Sequence, residues 1–307
     1  MRCTAALPFL FLLLVSGVLV TGCGESADTA EDQNDTTDAS ETLPFNAVGD
    51  SIVFAVDMLT LQSLEQGGET IDQELENIGT MTFVKGDDAG EGTRWKSISN
   101  ISMIGKMKGQ EMGRQEKKQE MIYTVSTDGK VVDLKISGMD DQVGAEMQRV
   151  LERSAGGQTG MQMFMEKEWL NKNVGDTWSD HLRDTIQIDG TETKVESANI
   201  IMEIKTDYTF EGHVDTLGHK TVRIRYVINQ VSMDGTVTAP NGGETTIKSD
   251  GQGSGVFYYD VDDLLQVATQ SITDVEMELG MPKTGKTIDI TQHMVAMMAR
   301  KNGPTLE

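Results

Sequence analysis

Asn173-Val174-Gly175-Asp176-Thr177-Trp178 lies near the middle of the chain and echoes Ala47-Val48-Gly49-Asp50-Ser51-Ile52 near its start. The echo continues in one order. Thr82-Phe83 answers Thr209-Phe210, and the run Ile98 to Gly105 answers Ile228 to Gly235. Met121-Ile122-Tyr123 parallels Val256-Phe257-Tyr258, and Ile136 to Met139 parallels Leu279-Gly280-Met281. Recurrence in a fixed order predicts an internal repeat of about 130 residues. The first β-rich repeat, with its helix and connector, spans 45–170 and the second spans 171–307.

Within each repeat apolar and polar residues alternate. Ile52, Phe54, Val56 and Met58 share one face of a strand, as do Ile200, Met202 and Ile204, and Val222, Ile224, Tyr226 and Ile228. Residues 265–279 read as one long strand with Gln266, Gln270, Asp274, Glu276 and Glu278 on its wet face. One buried and one solvated face is the pattern of antiparallel sheet, and Asp128-Gly129 marks a hairpin. Two stretches change period. Val143, Met147, Val150 and Leu151 follow helical spacing, which predicts a helix over 141–153; Thr291 reads as an N-cap for a second over 291–300 through Met294, Val295, Met297 and Met298. The expected fold class is therefore α+β, mainly antiparallel β, each repeat ending in a short helix.

The N-terminus reads differently. Arg2, an apolar run from Leu7 to Val20, then Val20-Thr21-Gly22-Cys23 make a short leader ending in a small residue before a cysteine. This resembles the lipobox of bacterial lipoproteins. The resemblance implies that residues 1–22 are a signal peptide and that Cys23 is acylated, with chains such as palmitate, as the first mature residue. Two or more acyl chains suffice for stable anchoring. Cys3 is inside the leader, so a chain trimmed there has no further thiol for a disulfide, a zinc site or a nucleophile. Residues 23–44 carry seven acidic residues from Glu25 to Glu41 and no basic one, the composition of a disordered tether.

The two β-rich halves with Val174-Gly175-Asp176-Thr177-Trp178 between them also resemble an uncharacterised two-repeat bacterial lipoprotein family of unknown function with a V-G-D-x-W motif. That likeness implies a fold and a location, the cell envelope, and no activity.

Formal charge is −23. Without Arg2 and the seven tether acids, 25 basic residues face 42 acidic ones, a net charge of −17. Such a surface argues against nucleic-acid binding, which needs a basic face.

Several motifs promise chemistry and are each outweighed. Gly280-Met281-Pro282-Lys283-Thr284-Gly285-Lys286-Thr287 matches a phosphate-binding loop letter for letter, yet the chain after it is too short for the sheet and magnesium-holding Asp such folds use. Gly49-Asp50-Ser51-Ile52 resembles the nucleophile block of a serine esterase family, but that family's D-x-x-H is missing, since Asp289 and His293 stand one residue too far apart. His213, Asp215 and His219 have hairpin-loop spacing but no fourth metal ligand. Val-Gly-Asp itself reads as a turn, the Gly free to take positive φ and the Asp bonding its own backbone. Eighteen methionines beyond Met1, against eight phenylalanines, fit a core with irregular gaps or a cavity that takes varied apolar partners; Trp95, Trp169 and Trp178 read as core anchors.

No catalytic residue, metal ligand or cofactor is expected, and Cys23 is the single modified position. The expected function is a membrane-anchored extracytoplasmic lipoprotein facing the periplasm or exterior. It would be a non-enzymatic binding or structural module for an apolar ligand or an envelope protein, with a hydrolase using Ser51 as the alternative. Replacing Cys23 with Ala should move the protein from the membrane to the soluble fraction, and mass spectrometry of the mature protein should find Cys23 acylated in the parent.

Overall fold

In the computed structural model, the described residues are 47–88, 90, 92–126, 131–136, 165, 167–189, 196–239 and 242–301. They form eleven strands: β1 Ala47–Gln66, β2 Glu69–Asp88, β3 Gly92–Met107, β4 Gln110–Ser126, β5 Val131–Ile136, β6 Thr177–Asp189, β7 Ser197–Thr216, β8 His219–Thr238, β9 Glu244–Asp260, β10 Gln266–Met281 and β11 Lys286–Arg300. A 3₁₀ turn, Lys167–Asn171, precedes β6. All strands belong to one antiparallel sheet in the order β5-β4-β3-β2-β1-β11-β10-β9-β8-β7-β6.

Within β1–β5 and within β6–β11 consecutive strands are neighbours, so each half is a simple meander. The join is non-local. β1 pairs with β11 from Phe54↔Arg300 to Glu65↔Asp289, and Lys301 N–H extends the ladder by donating to Val53 O at 2.8 Å. The sheet thus runs through the boundary between the two expected repeats. The echoed residues fall on β2 and β7, β3 and β8, and β4 and β9.

The α+β expectation is overturned. Residues 291–300, expected as a helix, lie inside β11, which is paired on both sides, to β1 and β10. The cause is visible in the residues. Met294, Val295, Ala296, Met297 and Met298 are apolar on every face, so helical spacing and strand alternation match them equally. Two flanking strands then supply a partner for each backbone group, and the strand wins. The other expected helix, 141–153, and the Asp128-Gly129 turn lie outside the described residues. The antiparallel, one-face-buried reading holds: along β7, every second residue from Ala198 to Phe210 is buried.

Three apolar clusters sit on the buried face. One gathers Leu64, Ile290, Met277, Met233, Met202 and Ile186; a second gathers Phe54, Met81, Phe83, Trp95 and Tyr123; a third gathers Met165, Trp169, Tyr208, Phe210, Phe257 and Tyr259. In the third, Trp169 from the 3₁₀ turn packs on Trp178 and Tyr208 with ring centroids 5.1 and 5.5 Å away. The central stretch turns as expected. Gly175 has φ +92, Asp176 Oδ2 accepts from Asn173 N–H at 2.8 Å, and Gly175 N–H donates to Phe210 O at 2.9 Å.

On β9, Gly251, Gly253 and Gly255 occupy three successive positions of the buried face. Tyr226 of β8 lies across the last of them. A Cβ on Gly255 would stand 2.4 Å from both the Tyr226 hydroxyl and the Gln270 carbonyl oxygen, and the latter is backbone that cannot step aside. Gly255→Ala should therefore destabilise the protein by about 1–3 kcal/mol, measured as a lower urea midpoint with an unchanged m-value.

Candidate functional site

Strand register places side chains in rows across the buried face, because opposed residues in a ladder share a face. One row reads Asn77, Met58, Ala296, Ser271, Gly255, Tyr226, Tyr208, Trp178 from β2 round to β6. The next reads Leu75, Thr60, Met294, Thr273, Gly253, Ile228, Thr206, Asp180. A third reads Gln73, Gln62, Gln292, Val275, Gly251, Val231, Ile204, Leu182. Polar and small residues are concentrated in these three rows. Toward one end lie Leu64, Ile290, Met277, Met233 and Met202; toward the other lie Val56, Met298, Phe257, Ile224 and Phe210.

The buried face is thus an apolar surface with a polar belt across its middle. Gln62 is 2% exposed and neither its Oε1 nor its Nε2 has a hydrogen-bond partner. Asn77 Oδ1 and Thr206 Oγ1 are likewise buried and unpartnered. Native cores pair nearly all such atoms, and each exception calls for an explanation. Leaving one unmade costs about 1–3 kcal/mol. Tyr226 reaches over Gly255 toward Thr269 and Ser271 of β10; burial pushes its phenol up to about 12, against a smaller downward pull from these hydroxyls. Burial also holds the Asp180 carboxyl above its usual range.

At one end of the sheet, Arg300 fastens β11 to the β9–β10 turn. It is 8% exposed; its Nε donates to Gln266 O at 2.9 Å and its two terminal nitrogens to Asp263 at 3.1 and 3.0 Å. Asp260 joins this cluster. Burial alone would raise its carboxyl, but the Asp262 N–H, His219, the Asp263 N–H and the Arg300 charge outweigh burial and hold it below its usual range.

The motifs weighed in the sequence fall elsewhere. Ser51 is exposed at the start of β1, while His181, His219 and His293 bond Glu203, Asp260 and Asp274 at 2.7–2.8 Å. No Ser–His pair forms there. His213 and Asp215 share one face of β7, whereas His219, opposite Thr216, is on the other and turns to Asp260. The expected metal trio is therefore not brought together, and among the described residues no group of three His, Cys, Asp or Glu could hold a metal. The phosphate-loop match is the β10–β11 hairpin turn, followed by a strand where a helix was expected. Its Thr284 and Gly285 N–H groups are spent on Met281 O at 3.0 Å. Cys23 lies outside the described residues. The methionines divide: Met58, Met202, Met233 and Met277 are buried on the inner face and Met103 half-buried, while Met294 and Met298 reach that face from β11.

The opposite, outer face carries a cleft of about 680 Å³ lined by Asp72, Glu74, Lys106, Asp274, Glu276 and His293. Its charges largely answer one another. Lys106 bonds Glu74 and Glu76, Ser63 donates to Asp72, and His293 pairs with Asp274. The polar belt, by contrast, was missed in the sequence. The signal was present in Thr60, Gln62 and Gln292 at positions where alternation calls for an apolar residue.

No protein-family model and no curated protein matches the chain. Among solved structures, Pseudomonas aeruginosa OpdQ aligns at TM-score 0.27 and 9% identity, covering 82% of this chain and 100% of that one. A mutant of Rh. blastica porin aligns at 0.25 and 10% over the same shares. A DUF1329 family protein from Desulfovibrio piger aligns at 0.13 and 12%, covering 87% of this chain and 89% of that one. Scores this low carry no argument about this chain.

Asp260 also gives the site a pH signature. Its depressed native pKa means that its stabilisation is complete above the ordinary carboxylate pKa and is lost as pH falls through the native value. Asp260→Asn should cost about 1–2 kcal/mol at pH 7, and the gap from the parent in urea denaturation should close below about pH 4.

Proposed function

We propose that this chain is a lipid-anchored, non-enzymatic binding protein of the cell envelope, and that the buried face of its sheet receives an apolar ligand bearing hydrogen-bonding groups. The single observation that carries the reading is the belt of unpartnered polar atoms, Gln62, Asn77 and Thr206, set between two Met-, Ile- and Phe-rich zones. Ligand sites are mostly apolar with a few placed polar groups. Unpartnered groups in a core cost stability, and a ligand carrying amide, ester or hydroxyl groups would meet them. Methionine suits such a surface because its side chain adapts to varied shapes. The lipobox supports the anchor and the envelope location. A hydrolase reading through Ser51 draws no support from His181, His219 and His293, whose bonds go to carboxylates, or from His213, whose ring packs on Phe210.

A second reading has one observation behind it. Leu61, Ile78, Ile272 and Met297, each more than 40% exposed, lie on neighbouring strands of the outer face, an arrangement suited to docking an envelope protein.

The ligand reading has a two-sided test. Native mass spectrometry of protein released from membranes in mild detergent should show bound lipid-sized masses. Gln62→Leu should leave the ligand-free protein as stable or more so, because an unpaired buried amide is removed, and weaken ligand retention about 3–10-fold. Protein that emerges without any bound species would sink the reading.

A further inference from the structure

We propose that the inner face of strand β6 is a head-group site for an amphiphile that carries an ammonium beside an oxygen acceptor. Its polar partners would be the Asp180 carboxylate, the Thr206 hydroxyl and the Trp178 indole N–H. The proposal rests on the reading above that the buried face takes an apolar ligand, and it names the end of the ligand that the belt's last row receives.

β6 is the last strand of the sheet order. Its outer face carries Ser179, His181 and Arg183, and two of these are answered across the ladder: Ser179 and Asn229 both donate to Asp207, and Glu203 is shared by His181 and Lys205. Its inner face carries Trp178, Asp180, Leu182, Asp184 and Ile186. Asp184 accepts from the Thr185 N–H at 2.8 Å. Asp180 has no hydrogen bond or ion pair with any described residue, although burial opposes its charge. Directly opposite it in the register, Thr206 is 2% exposed with an unpartnered Oγ1; two residues along the same face, the Trp178 Nε1 is buried and unpartnered. Among the described residues, an acceptor carrying negative charge, a hydroxyl and an N–H donor thus stand side by side without partners.

The chemistry of the three selects the ligand. An unpaired, half-buried carboxylate in a domain of net charge −17 calls for a cation and repels an anion. A metal ion needs more ligands than one carboxylate, and no such group exists among the described residues. An ammonium needs only acceptors. The Trp178 ring itself is occupied, stacked on Tyr208 at 5.4 Å and 15° with Lys172 Nζ over it at 5.1 Å from the centroid, so its part in the site is the indole N–H alone. The indole N–H can only donate, so the head must also present an oxygen. A phosphoethanolamine or amino-alcohol head has both. Below it, Leu182, Ile186, Ile204 and Ile200, all buried, continue the same apolar face.

The test is titration calorimetry on the full chain, purified in detergent and stripped of co-purifying lipid. The two probes are lyso-phosphatidylethanolamine and lyso-phosphatidylglycerol of equal chain length. The parent should bind the amine-headed lipid at least tenfold more tightly. Asp180→Asn should shrink that preference to under threefold with little change for the glycerol-headed lipid, and its melting temperature should be no lower than the parent's. Thr206→Val should weaken both lipids alike. Equal affinities in the parent, or a preference that survives Asp180→Asn, would overturn this head-group site while leaving the ligand reading standing. Failure of both lipids to bind would overturn the two together.

Discussion

The pairing of β1 with β11 is the constraint on which the rest of the sheet depends. Each half is a meander of sequence neighbours, and such a meander by itself leaves a first strand with one row of unpaired backbone groups. β1 and β11 satisfy that row for each other over twelve opposed residue pairs, from Phe54↔Arg300 to Glu65↔Asp289. The contact joins residues more than two hundred positions apart, so its loop-closure entropy is large and must be offset by what it creates. What it creates is a continuous buried face in which Leu64 of β1 shares a cluster with Met277, Met233 and Ile186 of the second half. Arg300 secures the end of the join, tying β11 to the β9–β10 turn through Asp263 and Gln266 while its guanidinium lies 5.9 Å from the Phe54 ring centroid.

The same join assembles the polar belt. Gln62 of β1 stands opposite Gln292 of β11, and Thr60 opposite Met294. Without the pairing these residues belong to different halves and no row exists. The glycines of β9 contribute by omission. With no side chains at three successive inward positions, Tyr226 can lie flat across β9 toward the hydroxyls of β10, and the row keeps its polar character through the strand least able to supply any. A belt of this kind costs stability wherever an atom is left unpaired. Retaining it in the middle of an otherwise apolar face is the feature that a purely structural role leaves unexplained.

Charge is handled differently on the two faces. On the outer face three carboxyls are held below their usual range by neighbouring cations: Glu120 by Lys96 and Lys118, Glu203 by Lys205 and His181, Glu74 by Lys106. On the inner face Asp180 has no such neighbour among the described residues and its carboxyl is driven the other way by burial. Two carboxylate populations on one sheet, one stabilised in its charged form and one opposed, mark where solvent or a protein cation serves and where neither does.

Much of this was legible in residue order. Strict alternation at Ala198 to Phe210 and at Val222 to Ile228 showed strands with one buried face, and Gly175 with Asp176 showed a turn, because both readings depend only on neighbours along the chain. The acidity of the chain is likewise a property of composition, while the lipobox reading of Val20-Thr21-Gly22-Cys23 rests on local order alone and lies outside the described residues. Residues 291–300 were misread for a physical reason: Met294 to Met298 offer an apolar surface in every direction, so periodicity is silent and the outcome turned on two partner strands that lie far away in sequence. The belt was invisible for a related reason. Thr60, Gln62, Asn77, Gln292 and Thr206 are scattered over four strands, and each alone reads as an ordinary break in an apolar run. Only the register of the folded sheet, fixed by backbone hydrogen bonds across β1 and β11, sets them side by side on a face that water does not reach.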